Sequence, residues 1–441
     1  MKKLTKKWQI ILYGCSGLGV NMMNLIVGSY LCSALLTGGF DAHIEQWTYL
    51  NKDLVVPALW SILILTAKIV DGLIDIPLSS FTDNLRSRFG RRRPSIVMGY
   101  IPMIAAYLLF LIPIDRTATI ANTLWFAAIL CLFYASYTLT MITYYATFAE
   151  IVKEKNDLVL LSNVKSICDV VYFSLGYALV PAFVAMGTNI RAVALIFLPL
   201  ALTMLIPLFM LKEKPTNTPD TSSDKDELAP ITFKQSLAFS LKNKKFIFWL
   251  FVAATMNLGL QLFLSGINEF FSTAGVNMTF IMASSFAPVP FTILLYNRIV
   301  AKKGLGFGFR YILIMFSVGM SLMFFCQMLP KDMLFYCAIG CGIIVSFAIG
   351  SFFSVTYTVP SHMAAEISES TKTRVSSMYF AIQGLFEATS AGIASGVLLV
   401  FMKENDLIPY MTLIVAGICM LACALSFFLP KSVTNIGIKK K

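Results

Sequence analysis

Residues 54–94 read LVVPALWSILILTAKIVDGLIDIPLSSFTDNLRSRFGRRRP. The stretch begins as an apolar run long enough to cross a bilayer as a helix. Its second half nevertheless carries Lys68, Asp71 and Asp75, and it closes in a hinge with five arginines, Arg86, Arg88, Arg91, Arg92 and Arg93. An ionised side chain at mid-membrane depth costs roughly 2.5 to 3.5 kcal/mol on insertion scales, so three on one helix need partners or a purpose. Asp71 and Asp75 are four residues apart and Lys68 precedes Asp71 by three. All three therefore project from one helical face, with neighbouring Cβ atoms about 5 to 6 Å apart. That face must look into protein rather than lipid. Two carboxylates so close in a poor dielectric do not both ionise readily without a cation between them, so the pair suits a shared proton or a bound monovalent cation. A structural ion pair with Lys68 is the alternative, although one lysine neutralises only one of the two acids.

The surrounding chain has 441 residues, 57% hydrophobic and 13% charged. Apolar runs recur along its whole length, which predicts an all-α polytopic membrane protein. Runs of about 20 apolar residues give twelve expected spans: 9–37, 54–81, 94–114, 120–148, 159–187, 191–211, 246–272, 278–300, 310–329, 334–360, 375–401 and 407–429. Cytoplasmic loops retain Lys and Arg. Placing both termini inside puts 28 of the 35 basic residues on that side and leaves Lys52, Arg116, Arg191, Lys331 and Lys403 in outside loops. Lys68 and Lys165 fall inside spans. Topology thus accounts for the net charge of +12, and no nucleic-acid partner is implied. All nine cysteines lie in expected spans, which argues against a disulfide framework. The first span follows MKKLTKKW without a small-residue cleavage site and is expected to be retained. An enzyme would need a clustered constellation, yet the chain has only His43 and His362 and carries neither HExxH nor a phosphate-binding glycine loop.

The first span holds Gly14, Gly17 and Gly19, which allow close packing, and then Asn21 and Asn24, whose amides could face a polar cavity. In the hinge, Gly90 permits a tight reversal and Pro94 suits the first turn of the next helix. Its arginines could bind anionic lipid heads or pair with acids on neighbouring helix ends to latch an inside gate. The gate set comprises Asp83, Arg86, Arg88, Arg91, Arg93 and Glu150. Span five pairs Lys165 with Asp169 at i,i+4, implying a wet interior. After span six the composition turns polar in EKPTNTPDTSSDKDELAP, a flexible linker. ITFKQSLAFSLKNKKF then alternates apolar residues and lysines at the spacing of a surface amphipathic helix. The expected organisation is a six-helix bundle at 1–211, a cytoplasmic linker at 212–245, a second six-helix bundle at 246–429 and a cytoplasmic tail at 430–441. Buried charge in the second half is limited to Glu269 and Glu387. A basic loop follows span eight, YNRIVAKKGLGFGFRY, echoing the arginine hinge and suggesting a duplicated architecture.

Twelve spans, a central linker and IVDGLID followed by DNLRSRFGRRRP resemble the major facilitator superfamily. Within it the chain is most similar to the glycoside-pentoside-hexuronide:cation symporters, the melibiose permease-like family. Supporting matches are Tyr13-Gly14, Tyr137-Thr138, and Lys165 ahead of Pro181. The resemblance implies the major facilitator fold, with Asp71 and Asp75 as cation-binding carboxylates and Thr138 as a hydroxyl completing the shell. Sodium-accepting relatives carry Asn before the second acid, where this chain has Ile74. Losing an oxygen ligand weakens a sodium site more than a proton site. On the solute side, the resemblance puts Asn21 and Met141 where family acids hold sugar hydroxyls, and Tyr145 where a tryptophan stacks. Glu387 stands in place of a lysine, and Glu366, in the inside loop HMAAEISESTKTR where the family holds paired aspartates, is the gate acid the resemblance adds. Substrate contacts are expected from Asn21, Tyr145, Lys165, Asp169, Gln383 and Glu387.

The expected function is a cation-coupled symporter of a sugar, glycoside or related small polar solute, driven by H⁺ in preference to Na⁺, working by alternating access in the plasma membrane. Alternatives are a sodium-coupled carrier of lysolipid or another amphipathic solute, and a non-transporting sensor on the same scaffold. No cofactor is expected, nor any metal apart from sodium at Asp71 and Asp75. The expected partners are the solute, the coupling cation and membrane lipid, with the protein a monomer.

Overall fold

The computed structural model describes residues 4, 6–41, 43–85, 87–151, 155–213, 240–274, 278–371 and 376–436. Among the described residues the regular structure is helical, with no strand. Among the described residues twelve segments are long and apolar enough to cross a membrane. In chain order they are α1 (Lys7–Leu35), α2 (Pro57–Asn84), α3 (Arg92–Phe110), α4 (Ile120–Ala146), α5 (Lys155–Ala185), α6 (Ile190–Met210), α7 (Lys244–Ala274), α8 (Thr279–Lys303), α9 (Leu305–Cys326), α10 (Lys331–Thr371), α11 (Ile382–Glu404) and α12 (Ile408–Ser426).

Local chemistry sets several of these boundaries. Pro57 occupies the first turn of α2, where its missing N–H would have had no partner. The Thr119 and Asn189 side chains cap α4 and α6 by accepting from the backbone N–H of Asn122 and Arg191. Lys302 and Lys303 sit in the last turn of α8, where positive charge complements the helix dipole. Internal prolines at 77, 102, 181 and 360 each leave a carbonyl one turn earlier without its helical N–H. α1 and α11 contain π turns at Ile26–Leu31 and Ile393–Leu398, which locally shift the register of the faces they present.

The chain divides into two compact units, Met1–Thr221 and Ser222–Lys441. In the first, α1 packs on α5 and α6, and α4 packs on α2 and α3. In the second, α7 packs on α11 and α12, and α10 packs on α8 and α9. The second pattern is the first displaced by six helices, a repetition of architecture that only the basic hinges hint at in the sequence. Each unit has its own aromatic core, with Trp60, Tyr107, Phe110, Phe126 and Phe133 buried in the first and Trp249 and Phe246 in the second. Large apolar side chains such as Phe209, Phe291 and Phe428 stand outward, as lipid-facing surfaces require.

Gly19 allows the closest helix approach in the first unit. A Cβ there would lie 1.8 Å from the carbonyl oxygen of Leu200 on α6, so any side chain would force the two backbones apart.

Of the boundaries that differ from expectation, two change where charged residues lie. α10 continues to Thr371, because MAAEISES consists largely of good helix formers and the helix outlasts its apolar portion. α11 continues to Glu404 and carries Lys403 into the core of the second unit, where it is 5% exposed rather than part of an outside loop. The expected amphipathic segment falls mostly on residues outside the described set.

Candidate functional site

The acid pair of α2 faces α4. Thr138 is buried, and its hydroxyl donates to Asp71 Oδ1 at 2.9 Å. A carboxylate is acceptor-only, so this bond fixes one Asp71 oxygen and leaves the other available. Asp71 and Asp75 are close enough to act on one another electrostatically, and both are partly buried. Asp75 has no hydrogen-bond or ion-pair partner among the described residues. Lys68 is near enough to exert a field on Asp71 but makes no ion pair with either acid among the described residues. Its ammonium instead sits 3.9 Å from the centre of the buried Tyr134 ring, a cation–π contact. The lysine's charge is thus partly satisfied by an aromatic face, and the carboxylates are not closed off by it. Pro77, two residues beyond Asp75, leaves the Leu73 carbonyl without its helical donor, adding an acceptor between the two acids along the chain.

A second polar cluster joins α1, α4 and α5. Lys165 and Asp169 form an ion pair one turn apart on α5. Asp169 Oδ1 accepts a long hydrogen bond of 3.5 Å from Asn21 Nδ2. Because that carboxylate can only accept, the Asn21 amide must turn its oxygen the other way, where it receives the Tyr137 hydroxyl at 3.0 Å. The Lys165 ammonium also lies 5.1 Å from the centre of the Tyr145 ring. The structure therefore brings Asn21, Tyr145, Lys165 and Asp169 together within one unit. It also adds Tyr137, which the sequence offered only as part of a family match.

The gate residues are placed less completely. Arg86 and the side chains of Asp83, Glu150 and Glu366 lie outside the described set. Arg88 is exposed, with its guanidinium 4.8 Å from the Phe89 ring centre. Arg91 and Arg93 are half-buried. An acid that was not anticipated occupies the hinge: the Glu213 carboxylate, just beyond α6, accepts from the backbone N–H of Arg92 at 3.0 Å and of Arg93 at 3.1 Å. It thereby satisfies the first donors of α3 and complements the positive end of its dipole. Gly90 makes this docking possible. Its φ is +89°, and a Cβ there would fall 2.3 Å from Glu213. A glutamate opening a polar linker gives no sequence signal for this role.

In the second unit, Gln383 and Glu387 are adjacent on one face of α11. The buried Trp249 indole of α7 donates to Gln383 Oε1 at 2.9 Å. Gln383 Nε2 then donates to the Thr356 carbonyl at 2.7 Å and to Glu387 Oε1 at 2.8 Å. Pro360 is the reason that carbonyl is available, since it lies one turn after Thr356 and has no N–H to give it. Asn257 of α7 donates to the Glu387 carbonyl and to Ser390 Oγ, both at 2.8 Å. Further along the same helix pair, the buried Glu269 and Lys403 form an ion pair at 2.9 Å.

Against this geometry, residues 12–426 match the family model described as MFS/sugar transport protein. The chain belongs to this family. It is accordingly a membrane transporter of the major facilitator type and not an enzyme. No curated protein gives a significant match. Among solved structures, the transporter is similar to the nucleoside transporter NupG, with a TM-score of 0.63 and 14% identity over 96% of this chain and 99% of that one. It is also similar to a bacterial homolog of the human lysosomal transporter Spinster, with a TM-score of 0.60 and 12% identity over 97% of each chain. A POT family transporter in complex with 5-aminolevulinic acid gives a TM-score of 0.65 and 12% identity over 96% of each. At such identities these likenesses establish the fold alone. The transporter's own residues must carry any argument about its solute.

Proposed function

We propose that the protein is a cation-coupled symporter of a sugar, glycoside or related small polar solute, with the cation, H⁺ in preference to Na⁺, received at Asp71 and Asp75. The observation that carries this reading is the asymmetric acid pair. Asp71 is held by Thr138, while Asp75 has no partner among the described residues and Lys68 is occupied by an aromatic ring. A structural ion pair would consume the acids, whereas an exchange site must keep one of them open. The preference for a proton rests on Ile74, which offers no oxygen where a sodium shell would need one. The Lys165–Asp169–Asn21–Tyr137 cluster is the proposed solute contact of the first unit. The basic residues support a plasma-membrane orientation with both termini cytoplasmic.

The test is uptake in proteoliposomes under an imposed pH gradient or an imposed sodium gradient, across a panel of glycosides, pentosides, uronides and lysolipids. Proton-driven accumulation of one sugar class that disappears in Asp75→Asn, while equilibrium counterflow persists, is the expected result. Accumulation that depends on sodium and ignores pH would sink the proton assignment. A response to lysolipid alone would replace the solute class, and binding without counterflow would indicate a sensor.

A further inference from the structure

The contacts around Glu387 are exhausted in one direction only. An indole N–H can only donate, so Gln383 must turn its oxygen to Trp249, and both its amide hydrogens are then used by Thr356 and Glu387. A backbone carbonyl can only accept, so Asn257 must turn its nitrogen to Glu387, and its two hydrogens are used there and at Ser390. Every amide donor is consumed. Two acceptors remain without a partner among the described residues, the second carboxylate oxygen of Glu387 and Asn257 Oδ1. No described lysine, arginine or histidine pairs with Glu387, and the residue is only half-buried, so a solute in the interior can reach its open oxygen.

We propose that Glu387 is the anionic anchor for a protonated amine on the transported solute, a deepening that rests on the reading of the protein as a small-solute transporter. An acceptor-only site calls for a ligand rich in donors. A hydroxyl would satisfy the lone pairs and leave the negative charge in place, whereas an ammonium satisfies both. A metal cation fits less well, because the nearby Gln383 Oε1 and Thr356 carbonyl are already engaged and a hard cation needs several free oxygens. Among the described residues no group of three potential metal ligands occurs. The solute class this selects is amine-bearing: an amino sugar, or a small amine of similar size.

The test is thermal-shift titration of the purified full chain with matched pairs: glucosamine against glucose, galactosamine against galactose, and ethanolamine against ethylene glycol. At least one amine should bind about tenfold or more tightly than its neutral partner, the range expected for a charge-assisted contact. That gap should close in Glu387→Gln, which keeps the acceptor for Gln383, and should persist in Glu387→Asp. No amine preference in the wild type, or a preference that survives Glu387→Gln, overturns the proposal. Asp75→Asn separates the two readings. An amine gap that persists there without any proton-driven uptake in the wild type would leave this inference standing and remove the symport reading. Proton-driven uptake of neutral sugars with no amine gap would do the reverse.

Discussion

Removing Lys403 tests the packing of the second unit most directly. Its ammonium and the Glu269 carboxylate meet at 2.9 Å with side chains 3% and 0% exposed, so neither can turn to water when the other is lost. Breaking one half of a pair buried this deeply costs about 3–5 kcal/mol, because a charge is left without its counterion. For a unit of this size, 1 kcal/mol moves the melting temperature by about 2–4 °C, so Lys403→Met should lower it by about 6–20 °C. The double variant Glu269→Leu with Lys403→Met removes both charges and should return to within about 1 kcal/mol of the parent, since apolar replacement of a whole buried pair is often neutral. Melting in detergent, followed by intrinsic fluorescence, reads both variants; Trp249 lies on the same helix as Glu269. A single variant that melts within a degree or two of the parent, or a double variant as damaged as the single, would refute the reasoning.

Other outcomes follow from the same geometry. Thr138→Val keeps the shape of the side chain but deletes the donor to Asp71; cation-driven uptake should fall by about ten- to a hundredfold, with Thr138→Ser restoring most of it. Glu213→Ala should weaken the start of α3 by about 1 kcal/mol, seen as faster amide exchange at Arg92 and Arg93. Gly90→Ala should cost about 1–2 kcal/mol through its left-handed backbone alone, and more because the new methyl meets Glu213. Glu387→Gln should leave the melting temperature unchanged or raised, because no described cation loses a partner; a drop of several degrees would reveal a structural role.

Membrane spans are the most legible feature of this sequence, because a bilayer demands a fixed length of apolar residues and every segment that meets the demand is visible in one dimension. The face shared by Lys68, Asp71 and Asp75 was equally visible, since helical spacing alone puts them together. What Lys68 does there was not, because a cation–π contact with Tyr134 depends on how α2 packs against α4, and aromatic residues are too common in this chain to point to one partner. Lys403 was misplaced for a related reason. A lysine at the end of an apolar run reads as a loop residue unless its partner is known, and Glu269 lies on a helix more than a hundred residues earlier. Glu213 and the Thr356 carbonyl were invisible because the first binds backbone N–H groups and the second is itself a backbone group, and every residue possesses those.

The position of α4 gives the acid pair its meaning. Tyr137 and Thr138 are consecutive, and consecutive residues on a helix point about 100° apart. One therefore reaches Asn21 in the α1–α5 cluster while the other reaches Asp71 on α2. Symport requires cation and solute to strengthen each other's binding by the same free energy in both directions. Under the proposed reading that linkage needs no chain of side chains between the clusters, because both contacts hang from one rigid segment. A turn or shift of α4 that improves the Thr138 bond must also move Tyr137 relative to Asn21. Uptake coupling should therefore be as sensitive to Tyr137→Phe, which deletes the hydroxyl that reaches the Asn21 amide, as to Thr138→Val, which deletes the one that reaches the Asp71 carboxylate.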